Sequence, residues 1–102
     1  MWFKAIEKLS ELSEMTEISV GDNHLVFSNH DGEIRCFENR CPHEDFKLSL
    51  GCIQDGRIKC ALHGFSFDLE TGESSELGVE PLRLFRVKIE EQLIYVEINP
   101  DQ

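Results

Sequence analysis

The sequence predicts an all-β domain of short antiparallel strands, and three observations support this fold class. Apolar residues alternate with polar ones in most regular segments, which is the pattern of a strand with one buried face. Residues that tolerate positive φ, such as Gly21, Gly32 and the pair Asp55 and Gly56, recur at short intervals. The 102 residues, 40% of them hydrophobic, suffice for one compact core, so we expect a single domain over residues 1–102.

Eight segments carry the strand pattern, and turn residues separate most of them. In chain order they are residues 2–6, 15–20, 25–28, 33–37, 52–54, 57–60, 84–90 and 93–98. The last two alternate most regularly and form a predicted hairpin, although its turn, Glu91 and Gln92, lacks the usual Asn or Gly. One helical turn is expected near residues 9–12. The strand pattern breaks over about 39–50 and 60–73, which are predicted to be the functional loops.

Charge and hydropathy exclude two classes of partner. The net charge of −10 repels nucleic-acid backbones and anionic lipid surfaces. The longest uninterrupted aliphatic and aromatic run, residues 93–96, is far shorter than a membrane span of roughly 20 residues. Residues 1–8 show neither a secretion signal nor a transit peptide, so we expect a cytoplasmic protein that binds no nucleic acid and no membrane.

The two predicted loops hold the candidate metal ligands Cys41, His43, Cys60 and His63. The spacing is C-x-H, then sixteen residues, then C-x-x-H. Thiolate and imidazole together favour zinc, copper(I) or an iron–sulfur cluster over calcium or magnesium. A structural zinc ion with four protein ligands is one interpretation, although C-x-H is short for two ligands of one tetrahedral ion. In the other, each loop gives a cysteine to one iron and a histidine to a second iron.

The remaining cysteines and histidines receive no role in this site. Cys36 and Cys52 lie in strand-like segments and are expected to be small buried hydrophobic residues. His24 and His30 flank predicted turns and are expected at the surface.

The chain resembles the Rieske-type ferredoxins over most of its length. Besides the four candidate ligands, the matching positions are Leu48, Ser49, Gly51, Gly64, Phe67, Asp68, Thr71, Gly72 and Glu73. The resemblance implies a Rieske fold, in which three small antiparallel sheets carry a cluster-binding subdomain of two loops. It also implies one [2Fe–2S] cluster, with Cys41 and Cys60 on the inner iron and His43 and His63 on the outer, reducible iron.

Differences from the high-potential Rieske proteins indicate a lower reduction potential for this chain. Where those proteins have an inter-loop disulfide this chain has Phe46 and Leu62, and where they have a Ser and a Tyr it has Phe65 and Phe67. Loss of hydroxyl donors lowers the reduction potential, so we expect the lower end of the Rieske range of roughly −150 to +300 mV.

The resemblance implies an electron carrier, not an enzyme. It would pass single electrons from a flavin-dependent reductase to a terminal oxygenase of the aromatic-ring dioxygenase type, docking both near His43 and His63. The alternative is a small Rieske subunit of a nitrite-reductase-like or diiron monooxygenase complex.

Overall fold

The described part of the chain consists of short strands with one short 3-10 helix. The computed structural model describes residues 1–8, 12, 14–30, 32–42, 46–61 and 64–98. The strands are β1 (Trp2–Ile6), β2 (Met15–Val20), β3 (Asn23–His30), β4 (Glu33–Glu38), β5 (Cys52–Gln54), β6 (Arg57–Lys59), β7 (Ser66–Asp68), β8 (Leu84–Phe85), β9 (Val87–Glu90) and β10 (Leu93–Glu97). The 3-10 helix is Leu48–Leu50. None of the helices in these described ranges could cross a bilayer.

The strands form three antiparallel sheets, as the sequence predicted. The terminal sheet has the order β1-β10-β9, and the middle sheet has the order β2-β3-β4-β8. The third, which we call the loop sheet, has the order β5-β6-β7. Its first turn consists of Asp55 and Gly56, both at positive φ (54° and 75°), which suits a tight hairpin.

The middle sheet is buried on both faces, and two hydrophobic cores result. Leu25 and Phe27 of β3 face one core, which the terminal sheet covers with Ile94 and Val96. Val26, which lies between them, faces the other core, which the loop sheet covers. This explains the uninterrupted apolar run of residues 25–27, because a strand covered on both faces has no polar face.

The structure differs from the predicted strands in two places. The predicted strand 84–90 is two strands in different sheets, since Phe85 pairs with Cys36 of β4 while Val87 pairs with Val96 of β10. Strand β7 was missed because Ser66–Asp68 lies inside the stretch 60–73, which the sequence analysis assigned to a functional loop. The predicted helical turn near 9–12 falls largely on residues outside those described.

The fold places the two predicted loops side by side. The first follows β4 of the middle sheet, and the second follows β6 of the loop sheet and also contains β7, which was not predicted. Both sheets contribute to the same hydrophobic core, so the loops begin at neighbouring positions on its surface.

Candidate metal centre

Two of the four predicted ligands, Cys41 and Cys60, lie in one buried cluster. Each side chain is 1% exposed, and both pack in the core between the middle sheet and the loop sheet. None of the four cysteines, all of which are among the described residues, forms a disulfide. Both cysteines are therefore almost fully buried in one apolar cluster.

The backbone closes both loops in the same way. The N–H of Cys41 donates to the carbonyl of Phe46 (2.9 Å), and the N–H of Cys60 donates to the carbonyl of Phe65 (2.8 Å). Each hydrogen bond therefore spans five residues from a cysteine to a phenylalanine. In the second loop, Gly64 at φ 74° also donates its N–H to the carbonyl of Cys60 (3.1 Å). The two loops therefore share the same backbone closure between a cysteine and a phenylalanine.

The predicted ligands His43 and His63 lie outside the described residues. In sequence, each falls between the cysteine and the phenylalanine that close its loop. Within the described ranges, no group of three or more His, Cys, Asp or Glu side chains could hold a metal ion. The structure thus shows two buried cysteines in one cluster, and ligation by all four residues stays a prediction.

One buried polar residue beside the first loop was missed by the sequence analysis. Asn39 lies between the end of β4 and Cys41 and is only 8% exposed. Its amide accepts a hydrogen bond from the N–H of Ser49 (2.9 Å) and donates to Oε1 of Glu17 (2.8 Å). No sequence pattern indicates this network, because its three members lie in β2, after β4 and in the 3-10 helix.

The other cysteines are only partly as predicted. Cys36 is buried, as expected, and burial raises the pKa of its thiol. Cys52 is exposed, so the expectation that it is buried was wrong. It lies on the edge strand β5, where the side chain of Ile53 is the one that faces the core.

The remaining histidines lie where the sequence predicted. His24 and His30 are both exposed in β3, and Nδ1 of His24 is 3.1 Å from Oγ of Ser19. Both are therefore surface residues.

Comparison with known proteins identifies the family. The model of the Rieske [2Fe-2S] domain matches residues 1–86. The chain belongs to the Rieske [2Fe–2S] domain family. The predicted fold and the predicted cofactor, one Rieske-type cluster, are confirmed by this match.

Similar proteins include whole small ferredoxins and much longer chains. Human Apoptosis-inducing factor 3 is 32% identical over 90 residues, which are 87% of this chain but only 15% of that protein. The ferredoxin component of biphenyl 2,3-dioxygenase from Rhodococcus jostii is 33% identical over 87 residues, covering 84% of this chain and 81% of that one. A solved complex of oxygenase and ferredoxin in carbazole 1,9a-dioxygenase contains a chain with a TM-score of 0.82 and 26% identity, covering 93% of this chain and 91% of that one.

The two buried cysteines fit the chemistry of an iron–sulfur cluster. Thiolates are the ligands that iron–sulfur clusters require, and Cys41 and Cys60 stand in one core on loops with matching closures. The lining is apolar: Phe67 is fully buried, while Phe46, Phe65 and Val79 pack around the core from its edge. Such a lining limits the access of water to a bound cluster.

Proposed function

We propose that this Rieske domain is a low-potential electron carrier, a ferredoxin that passes single electrons from a flavin-dependent reductase to a terminal oxygenase. The observation that carries the proposal is the match to the dioxygenase ferredoxin component, which covers 84% of this chain and 81% of that protein. The solved complex of a similar ferredoxin fold with an oxygenase supports the second partner. By the same similarity, the oxygenase is of the aromatic-ring dioxygenase type.

In this proposal, Cys41 and Cys60 hold one iron and His43 and His63 hold the other. The burial of both thiols supports an inner position for the cysteine-bound iron. A bound cluster supplies one-electron transfer. The chain itself orients the ligands through the loop closures and keeps water from the sulfur atoms. The partners would dock near His43 and His63, and the single domain 1–102 would be an electron carrier without catalytic residues of its own.

The lack of a hydroxyl donor at residue 67 supports a low potential. The ring of Phe67 is fully buried in the core that contains Cys41 and Cys60, and it has no hydroxyl to donate to a cluster. Donors near a cluster favour the reduced, more negative state, so their absence favours a low potential. The net charge of −10 supports docking to basic protein surfaces in the cytoplasm.

The ligand assignment is tested by metal analysis of matched histidine variants. We expect the intact protein to contain two irons and two acid-labile sulfides and to give a Rieske-type EPR spectrum after dithionite reduction. His63→Ala is expected to lose the cluster, whereas His30→Ala, at an exposed position in β3, keeps it. A protein that contains one zinc ion and no labile sulfide would contradict the proposal.

The carrier role is tested separately by kinetics with a purified flavin-dependent reductase. We expect the isolated chain to run as a free protein on gel filtration and to accept one electron per cluster. Isolation only as part of a larger enzyme complex would favour the subunit alternative.

A further inference from the structure

The two cluster loops are anchored differently beyond their matching closures. The second loop is flanked by Lys59 and Ser66, which pair in the ladder of β6 and β7. The first loop leaves β4 and leads to the 3-10 helix Leu48–Leu50, which belongs to no sheet. The helix therefore needs contacts other than strand pairing to hold it in place.

The side chain of Asn39 binds the middle residue of this helix, Ser49. Its amide oxygen accepts from the N–H of Ser49 (2.9 Å), and its Nδ2 donates to Oγ of Ser49 (3.2 Å) and to Oε1 of Glu17 (2.8 Å). Its own backbone N–H donates to the carbonyl of His24 (2.8 Å), which fixes Asn39 on the middle sheet. Asn39 thus joins the residues just before Cys41 to the helix.

At the C-terminal end of the helix, Gly51 lies against Lys59 at the end of β6, just before Cys60. Gly51 donates its N–H to the carbonyl of Leu48 (2.9 Å), and Leu48 is fully buried. A Cβ on Gly51 would overlap the carbonyl oxygen of Lys59, the residue before Cys60. Because Gly51 has φ of −90°, its requirement for glycine comes from this close approach and not from its backbone conformation.

We propose that the contacts of Asn39, Ser49 and Gly51 form a spacer that sets the separation of Cys41 and Cys60. None of the four cysteines, all of them described, forms a disulfide, so no covalent link between cysteines sets this separation. Asn39 and Gly51 are positioning residues: Asn39 stands two residues before Cys41, Gly51 lies against Lys59, the residue before Cys60, and both act on the cluster only through these segments. The inference rests on the proposed cluster ligation.

The experiment compares the rate of cluster loss in intact protein, Asn39→Ala and Asn29→Ala. Asn29 is the matched control, because its amide oxygen also accepts a backbone N–H, that of Gly32 (3.2 Å), but in a hairpin of the middle sheet. Bleaching of the visible absorbance is followed with a chelator present, at a temperature where far-UV circular dichroism shows every variant folded. EPR line widths of the reduced proteins give a second readout.

We expect Asn39→Ala to lose its cluster about tenfold faster, equivalent to about 1.4 kcal/mol, and to broaden the EPR lines. Asn29→Ala should match the intact protein. Glu17→Gln keeps an oxygen that accepts from Asn39 Nδ2 and should also stay near the intact rate. If Asn39→Ala does not fold, Asn39→Ser, which is too short to reach both Ser49 and Glu17, takes its place with the same expectation.

The outcomes separate this inference from the proposed function. An intact protein without iron and labile sulfide overturns the ligation on which the spacer rests. An intact protein with a normal cluster, but with equal loss rates and EPR spectra in the Asn39 and Asn29 variants, overturns the spacer alone.

Discussion

Replacing Gly51 with alanine tests how closely the 3-10 helix packs against β6. The structure allows the expected loss in the free energy of unfolding to be worked out. The added Cβ would lie inside the contact distance of the Lys59 carbonyl oxygen, and 3.0 Å from the Lys59 carbonyl carbon. Backbone atoms cannot rotate away as a flexible side chain can. The helix or the end of β6 must therefore move by on the order of 1 Å to restore a normal contact.

Such overpacking costs typically about 1–3 kcal/mol, and we expect about 3 kcal/mol here because the opposing atom belongs to the backbone. For a domain of this size, that loss lowers the unfolding midpoint by about 15 °C. The assay is thermal and urea unfolding of the cluster-free protein, so that cluster loss does not contribute to the measured free energy.

Gly78→Ala is the control, since a Cβ there meets nothing within 4 Å but its φ is 84°. Only the left-handed backbone conformation opposes that substitution, at about 1 kcal/mol. If Gly51→Ala proves no more destabilising than Gly78→Ala, the close approach to Lys59 is not a constraint on the fold.

Three further predictions follow from individual side chains. In the folded, cluster-loaded protein, a thiol reagent should modify the exposed Cys52 but not Cys36, because burial shields the Cys36 thiol and raises its pKa. Mass spectrometry that finds modified Cys36 before the protein unfolds would contradict this prediction. Phe67→Tyr should raise the reduction potential by about 40 mV, because a hydroxyl that donates to the reduced cluster stabilises it by about 1 kcal/mol. A potentiometric titration measures this shift, and an unchanged potential would show that residue 67 does not tune the cluster. The pKa of Asp68 is lowered mainly because its carboxylate accepts the N–H of Glu70 (2.7 Å). The ionised form therefore stabilises the fold above the unfolded-state pKa of about 3.9, and the stability advantage over Asp68→Asn should vanish as the pH falls through the lowered folded-state pKa; an advantage that grows in acid refutes this.

The sequence predicted those parts of the fold that local patterns encode. Alternation located most strands, and Asp55 with Gly56 located a turn, because both signals depend only on neighbouring residues. The break within 84–90 was missed because both halves alternate alike, and only their partners, β4 and β10, assign them to different sheets. The exposure of Cys52 depends on β5 being an edge strand, which is a property of the sheet order.

In the candidate site too, the sequence indicates what depends on neighbouring residues and misses what depends on contacts between distant segments. The sequence singles out Cys41 and Cys60 because each is followed within three residues by a histidine, and their burial in one core was seen only in the structure. The Asn39 network was not predictable, since it joins residues from three separate elements and each of them is an ordinary polar residue in the sequence.

The position of the single tryptophan makes the two ends of the molecule separately observable. Trp2 lies in β1, and its ring lies 4.7 Å from the ammonium group of Lys88, which also stands 5.5 Å from the ring of Tyr95. Its strand packs on the core that does not contain Cys41 and Cys60. Indole emission therefore reports the integrity of the terminal sheet, while visible colour reports the opposite core. Melting curves recorded by tryptophan emission and by visible absorbance would coincide only if both cores unfold in one cooperative step.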